Sequence, residues 1–166
     1  FGEICDMLNS NQVGIGLAIN PDTELPEWCY KFVELLDQII IMSVVPGKSG
    51  QKFIESTHEK TKRIAKDLRE HKFEGYIEAD GGVNLENIGA CFEDGARAFV
   101  GGSAIIGQSD VRMIIKEFRN QVLESRRRLL IKKAHELGGT ELVNSWIDLH
   151  VVGKKKDSLV QIAKEL

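Results

Sequence analysis

Three glycine-bearing segments hold the residues best suited to chemistry: Gly47-Lys48-Ser49-Gly50-Gln51, Asp80-Gly81-Gly82 and Gly102-Ser103. Each closes a short apolar run and stands before a stretch of helical period. Glycine lets backbone N–H groups approach an anion, and a helix that starts behind such a loop adds the positive end of its dipole. One loop of this kind signals only a tight turn. Three at successive run ends predict a phosphate cradle built mostly from backbone. Asp80 occupies the same kind of position and brings a carboxylate. Over an apolar floor a carboxyl can exchange protons with a substrate, and it can also hold a divalent metal. A third role is an Asx-type turn ahead of two glycines, and spacing does not separate the three.

For these residues to act together, regular elements must bring them to one place. Four apolar runs, residues 13–19, 39–45, 76–79 and 98–100, end in Asn20-Pro21, Pro46-Gly47, Asp80-Gly81-Gly82 and Gly101-Gly102-Ser103. Runs of this length without polar alternation predict buried parallel strands. Pro26 opens a predicted helix with Trp28, Phe32, Leu35 and Leu36 on its inner side. A second helix spans 52–71, with Thr57, Thr61, Ile64, Ala65 and Leu68 inward and Lys60, Lys62, Lys66 and Arg69 in solvent. A third starts near Asn84, an N-cap residue type, with Glu86 in its first turn and Gly95 past its end. A fourth covers 110–127. Four β-α units in succession call for right-handed crossovers and a parallel sheet, whose working residues lie at the carboxyl ends of the strands. That rule adds Asn20, Thr23 and Met42 to the rim. A closed barrel of eight such units takes about 250 residues, so residues 12–125 make half of one. Open strand edges and an uncovered sheet face promote association, which predicts either a fragment or a half that pairs with another. The absence of Met before Phe1 favours truncation or processing.

Composition sets the class. The 166 residues carry 22 Lys+Arg against 25 Asp+Glu, a net charge of −3, so no overall positive field draws the chain to nucleic acid or anionic lipid. No apolar stretch approaches the roughly 18–20 residues of a membrane span. Cys5, Cys29 and Cys91 are scattered and odd in number, which suits neither a disulfide framework nor a zinc motif and points to a reducing cytoplasm. Residues 126–166 read as an appended helical tail. Arg126, Arg127 and Arg128 lead an amphipathic stretch to Leu137, Gly138-Gly139 stops it, Thr140 caps a helix holding Leu142, Val143, Trp146 and Ile147, and a last helix runs over 158–166. Its basic clusters are read as a solvated face and linker.

The motifs Gly16-Leu17-Ala18-Ile19-Asn20-Pro21-x-Thr23, Ile41-Met42-Ser43-Val44-x-Pro46-Gly47-x-x-Gly50-Gln51-Lys52-Phe53-Ile54, Glu78-x-Asp80-Gly81-Gly82-Val83 and Gly102-Ser103-Ala104-Ile105-Ile106 resemble, in order and spacing, the last four βα units of the ribulose-phosphate 3-epimerase family. The resemblance covers residues 1–120, with 1–11 falling where the family has the end of its fourth helix and 126–166 without counterpart. It implies the C-terminal half of a TIM (β/α)8 barrel of ribulose-phosphate-binding type over 1–125, followed by a helical extension. It further implies a cytoplasmic isomerase of the pentose phosphate pathway that inverts C3 of ribulose 5-phosphate to give xylulose 5-phosphate. Two aspartates on opposite faces of the substrate would exchange protons, assisted by a divalent ion such as zinc, iron or manganese. By position, Asp80 is one of these aspartates and a metal ligand. Met42 matches a methionine lining the apolar site, and Gly47, Lys48, Ser49, Gly50, Gly81, Gly82, Gly102 and Ser103 match the phosphate-gripping segments.

Departures carry information too. Where the family's second loop usually reads Asn-Pro-Gly-Phe-Gly-Gly-Gln, this sequence has Val45, Lys48 and Ser49. Ser49 still offers its N–H and adds a hydroxyl, while Lys48 is either a charge for the phosphate or an exposed lysine. A six-carbon ketose phosphate such as allulose 6-phosphate is therefore an alternative substrate. The family's other catalytic aspartate, its two histidine ligands and an N-terminal serine come from three strands this sequence lacks, and His58, His71, His135 and His150 read as surface or packing residues. One aspartate cannot run a two-base inversion, so this chain alone is expected to be inactive and to need a complementing N-terminal half or a homo-oligomeric partner. A non-catalytic sugar-phosphate-binding half barrel is the alternative from another class. A related barrel enzyme, such as a decarboxylase or a thiazole- or indole-pathway enzyme, is a third, against which Asp80-Gly81-Gly82 with Met42 argues.

Overall fold

The computed structural model describes residues 2–136. After helix α1 (Gly2–Ser10) come strand β1 (Gly16–Ile19), strand β2 (Gln38–Met42), helix α2 (Thr57–Glu70), strand β3 (Tyr76–Asp80), helix α3 (Ile88–Asp94), strand β4 (Ala98–Val100), the short helix α4 (Gly102–Ile106) and the long helix α5 (Val111–Glu136). The four strands are parallel and lie in chain order, β1-β2-β3-β4. Sequential parallel strands joined by helical crossovers give the α/β arrangement of a partial TIM barrel. The chain divides into two compact units, Phe1–Val122 and Leu123–Leu166. The first holds the sheet. The described part of the second is the C-terminal portion of α5.

One face of the sheet makes the core. Ile39 and Ile41 of β2 and Ile77 and Ala79 of β3 are buried with Ile64, Ala65 and Leu68 of α2 and Ile88 and Cys91 of α3. Successive strand side chains point to opposite faces, so Ile40, Met42, Glu78 and Asp80 stand on the other face, where they are only half-buried. The expected absence of alternation therefore fails in β2 and β3, because the described helices cover one face and leave the other open.

Several boundaries move, each for a local reason. β1 begins at Gly16 rather than 13: Val13 is exposed, and the Ile15 N–H donates to the Asp37 carboxylate at 2.7 Å before strand pairing starts. β2 stops at Met42 rather than 45. After Pro26 there are two 3-10 turns, Glu27–Lys31 and Val33–Leu35, instead of an α-helix. Cys29, Val33 and Leu36 are the buried positions and Trp28 is 42% exposed, so the inward side shifts by one residue, from Trp28 and Phe32 to Cys29 and Val33. α2 opens at Thr57, not 52. Its inward residues are the expected ones, with one addition: Lys60, expected in solvent, is buried.

The Asn84 carboxamide accepts from the Glu86 and Asn87 N–H groups at 2.8 and 3.2 Å, capping the turn that leads into α3. Gly95 ends α3 at φ +121°. The boundary expected at 125/126 falls within α5, where Arg126, Arg127 and Arg128 lie and neither Pro nor Gly interrupts residues 111–136; the two compact units divide three residues earlier, after Val122. The tail helices expected beyond 137 lie outside the described residues. No described helix is long and apolar enough to cross a membrane.

α2 and α3 are joined by a polar clasp. His58 Nδ1 meets the buried Asp94 carboxylate, and Lys62 Nζ lies 3.6 Å from its other oxygen. Burial nevertheless pushes the Asp94 carboxyl above its ordinary 3.8, against the opposing pull of His58 and Lys62. The folded chain thus binds this proton more tightly than the unfolded one. The stability it contributes is present at low pH and is lost as pH rises from 3.8 through the raised value. Urea unfolding of wild type and Asp94→Asn across that window is expected to show the wild-type advantage shrinking with pH. An advantage that grows there contradicts this account.

Candidate functional site

In a parallel sheet taken in chain order, every loop that follows a strand emerges at the same end, and loops of neighbouring strands are neighbours. The segments after β2, β3 and β4 are thereby brought to one rim in succession. Gly47, Lys48, Ser49 and Gly50 are exposed, Gly81 and Gly82 half-buried, Gly102 and Ser103 exposed. Gln51 fixes the second loop by donating from Nε2 to the Val45 carbonyl at 2.6 Å and the Lys48 carbonyl at 2.8 Å, which leaves the loop's own N–H groups free of that task. Gly102 and Ser103, expected in a loop, instead begin α4.

Met42 and Asp80 are direct register partners, and Asp80 pairs onward with Val100. All three stand on the open face at the rim. Asp80 is therefore a carboxylate flanked by two apolar residues, Met42 and Val100, at the strand ends from which the glycine loops depart. One strand layer below it, on the same face, sits a second carboxylate that the search for strand-end residues missed. Glu78 accepts a hydrogen bond from Gln38 Nε2 at 2.7 Å, and burial together with the neighbouring Asp80 charge raises its pKa, the Gln38 bond opposing them. The signal was available: Glu78 is two residues from Asp80, and a two-residue step keeps the face.

Ser43 is the other residue the sequence reading passed over. It is 1% exposed, its N–H donates to the Asp80 carbonyl at 2.7 Å, its hydroxyl to the Gly81 carbonyl at 2.6 Å, and its own carbonyl accepts the Ile54 N–H at 2.8 Å. One small side chain thus holds the second and third rim loops together. Gly81 belongs to the same contact, since a Cβ there would lie 2.3 Å from Val44 Cγ2.

Other chemistry finds little support among the described residues. No group of three or more His, Cys, Asp or Glu gathers in a way that could hold a metal ion; Asp80 offers one carboxylate, so these residues do not form a metal site by themselves. The three cysteines are free and buried, and burial pushes the Cys91 thiol up to about 12, which removes it as a nucleophile at neutral pH. His58 is tied to Asp94, and His71 stacks on Tyr30 with ring centroids 4.4 Å apart. A groove of about 560 Å³ is lined by Lys52, His58, Gly82 and Asn87 together with Glu55 and Glu86. It reaches Gly82 of the rim but includes neither Asp80 nor Met42.

The family model described as the ribulose-phosphate 3 epimerase family matches residues 3–106. The ribulose-phosphate 3-epimerase of Escherichia coli K12 is 39% identical over 116 residues, 70% of this chain and 51% of that protein. Its namesake in Bacillus subtilis strain 168 is 39% identical over 114 residues, 68% and 52% of the two chains, and that of Serratia marcescens 41% identical over 97 residues, 58% and 46%. The chain spans about half the length of the curated relatives it matches.

Proposed function

Because the chain belongs to the ribulose-phosphate 3-epimerase family, we propose that it forms the carboxyl-terminal half of an enzyme interconverting ribulose 5-phosphate and xylulose 5-phosphate in a reducing cytoplasm. The observation that carries this reading is the Met42–Asp80 register pair on the open face, at the sheet end where three glycine segments emerge. Asp80 takes the C3 proton while negative charge moves onto the adjacent carbonyl oxygen. A second acid on the opposite face of the sugar then delivers a proton to C3, inverting it. That second group lies outside the described residues, in another segment or another copy. Backbone N–H groups of Gly47 to Gly50, Gly81-Gly82 and Gly102-Ser103 grip the phosphate, Lys48 adds charge, and Met42 keeps water from the reacting carbon. Asp80 would supply one ligand to a divalent ion, and the remaining ligands would have to come from the rest of the barrel. Such an ion, when bound, lowers the cost of charge on substrate oxygens.

Two measurements test this proposal. Inorganic phosphate added to the ¹⁵N-labelled chain is expected to shift the amides of residues 47–51, 81–82 and 102–103 together, with one common affinity. Expression together with the coding sequence upstream, in the presence of divalent metal, is expected to give conversion of ribulose 5-phosphate. Shifts confined to exposed lysines, with no conversion by the completed protein, defeat the reading.

A further inference from the structure

α2 carries one charge on its buried side. Lys60 is 6% exposed, and its Nζ donates to the Asn20 carbonyl and, at 2.5 Å, to the Thr23 carbonyl, with the Pro21 carbonyl at 3.4 Å. An ammonium has three donors and no acceptor, so three carbonyls match its full capacity. These carbonyls belong to one loop, closed on itself by the Thr23 N–H donating to the Asn20 carbonyl at 3.1 Å. Close by in α2, Arg63 pairs with Glu24 of the same segment. Burial pushes the Lys60 pKa down, Glu24 and Asp22 oppose this, and Arg63 adds to it.

Removing an ammonium from water is costly unless every donor is satisfied, and an apolar side chain would fill this position of the helix stripe without that cost. Packing alone therefore does not account for a lysine here. What the lysine supplies is a fixed loop. The connection just ahead of α2 is bound through Ile54 to Ser43, and Ser43 to Gly81. A rigid α2 gripping residues 20–24 thus sets the first rim loop relative to the second and third.

We propose that Lys60 is a positioning residue whose ammonium latches the Asn20–Thr23 loop at the rim of the sheet. Only the meaning of that loop as a wall of the sugar-phosphate site rests on the function proposed above; the latch does not.

The test uses the ¹⁵N-labelled chain. Lys60→Met keeps the aliphatic stem and deletes the donors. It is expected to speed amide exchange at residues 20–25 by about tenfold or more, as for a loop that opens locally. Exchange in β2 and β3, and the phosphate-induced shifts at Gly47 to Gly50, are expected to stay as in wild type. In Lys60→Ala, n-propylammonium chloride is expected to restore loop protection where sodium chloride does not. Unchanged loop exchange in Lys60→Met overturns the latch, and so does an acceleration spread evenly over the sheet, which marks a merely structural role. Should Lys60→Met fail to fold, the wild-type ammonium resonances decide. One slowly exchanging lysine NH3+ that contacts residues 20–23 sustains the latch, and uniformly fast exchange of all of them removes it. Absence of phosphate shifts in wild type together with no conversion by the completed protein, with the loop result intact, defeats the epimerase reading and leaves the latch standing.

Discussion

Asp80→Asn, introduced into the completed barrel, is expected to lower turnover by about 10²–10⁴-fold, the usual worth of a general acid–base group, while phosphate affinity stays near wild type. Asparagine keeps the size of the side chain and an acceptor oxygen but cannot take a proton. The main chain is indifferent to the exchange, because the Asp80 carbonyl that accepts the Ser43 N–H at 2.7 Å belongs to the backbone. Folding is expected to be equally indifferent. The carboxylate faces the open side of the sheet above Glu78, whose own pKa its charge helps to raise, so removing that charge relieves repulsion. Loss of activity therefore cannot be traced to loss of structure, and thermal unfolding of the variant checks this directly. A fall in kcat with little change in KM marks a group needed at the transition state and not for binding. Near-normal turnover makes Asp80 a turn residue and removes the one catalytic group proposed for this chain.

The sequence shows the four strands because each is a short apolar run closed by turn residues, and it shows the rim because strand ends in a parallel sheet share one side. It is less open where two signals conflict. Lys60 lies three residues from Thr57 and four from Ile64, squarely in the inward stripe, yet a lysine at that place reads as solvent-facing. Its partners are main-chain carbonyls about 40 residues away, which no local pattern announces. Glu78 was hidden for the opposite reason: runs read as uniformly buried conceal the face on which every second residue stands. The segment after Pro26 has apolar residues enough for an α-helix, and its buried positions Cys29, Val33 and Leu36 keep nearly helical spacing, so nothing in the pattern announces the two 3-10 turns that form instead. The roles proposed for Asp80 and the glycines come from combining four motifs, each ambiguous alone. Their placement depends on register, which only the fold supplies.

Gly82→Ala is expected to destabilise the chain by about 2–5 kcal/mol, the sum of left-handed strain and overpacking. Gly82 has φ +66°, and a Cβ there would lie 2.5 Å from the Phe53 nitrogen, 2.8 Å from its Cα and 3.0 Å from the Lys52 carbonyl carbon. All three atoms are backbone, so no side chain can swing aside. The segment 52–53 must move, and with it the neighbouring Ile54 N–H bond to Ser43 that ties the second rim loop to the sheet. Two glycines on the same rim serve as controls. Gly50 has φ +73° with nothing within 4 Å, so Gly50→Ala carries only the conformational strain of about 1–2 kcal/mol. Gly102 has open space around it and no positive φ, and Gly102→Ala should be close to neutral in stability. Urea unfolding of the three variants separates the contributions in the order Gly82, Gly50, Gly102. The same variants report on phosphate, since loss of its binding in Gly82→Ala follows from a displaced second loop, whereas loss in the stable Gly102→Ala variant points to backbone approach at the fourth strand. Equal stability of Gly82→Ala and Gly50→Ala would mean that the second and third loops do not meet as closely as these distances require, and the shared rim on which the proposed phosphate grip depends would lose its joint.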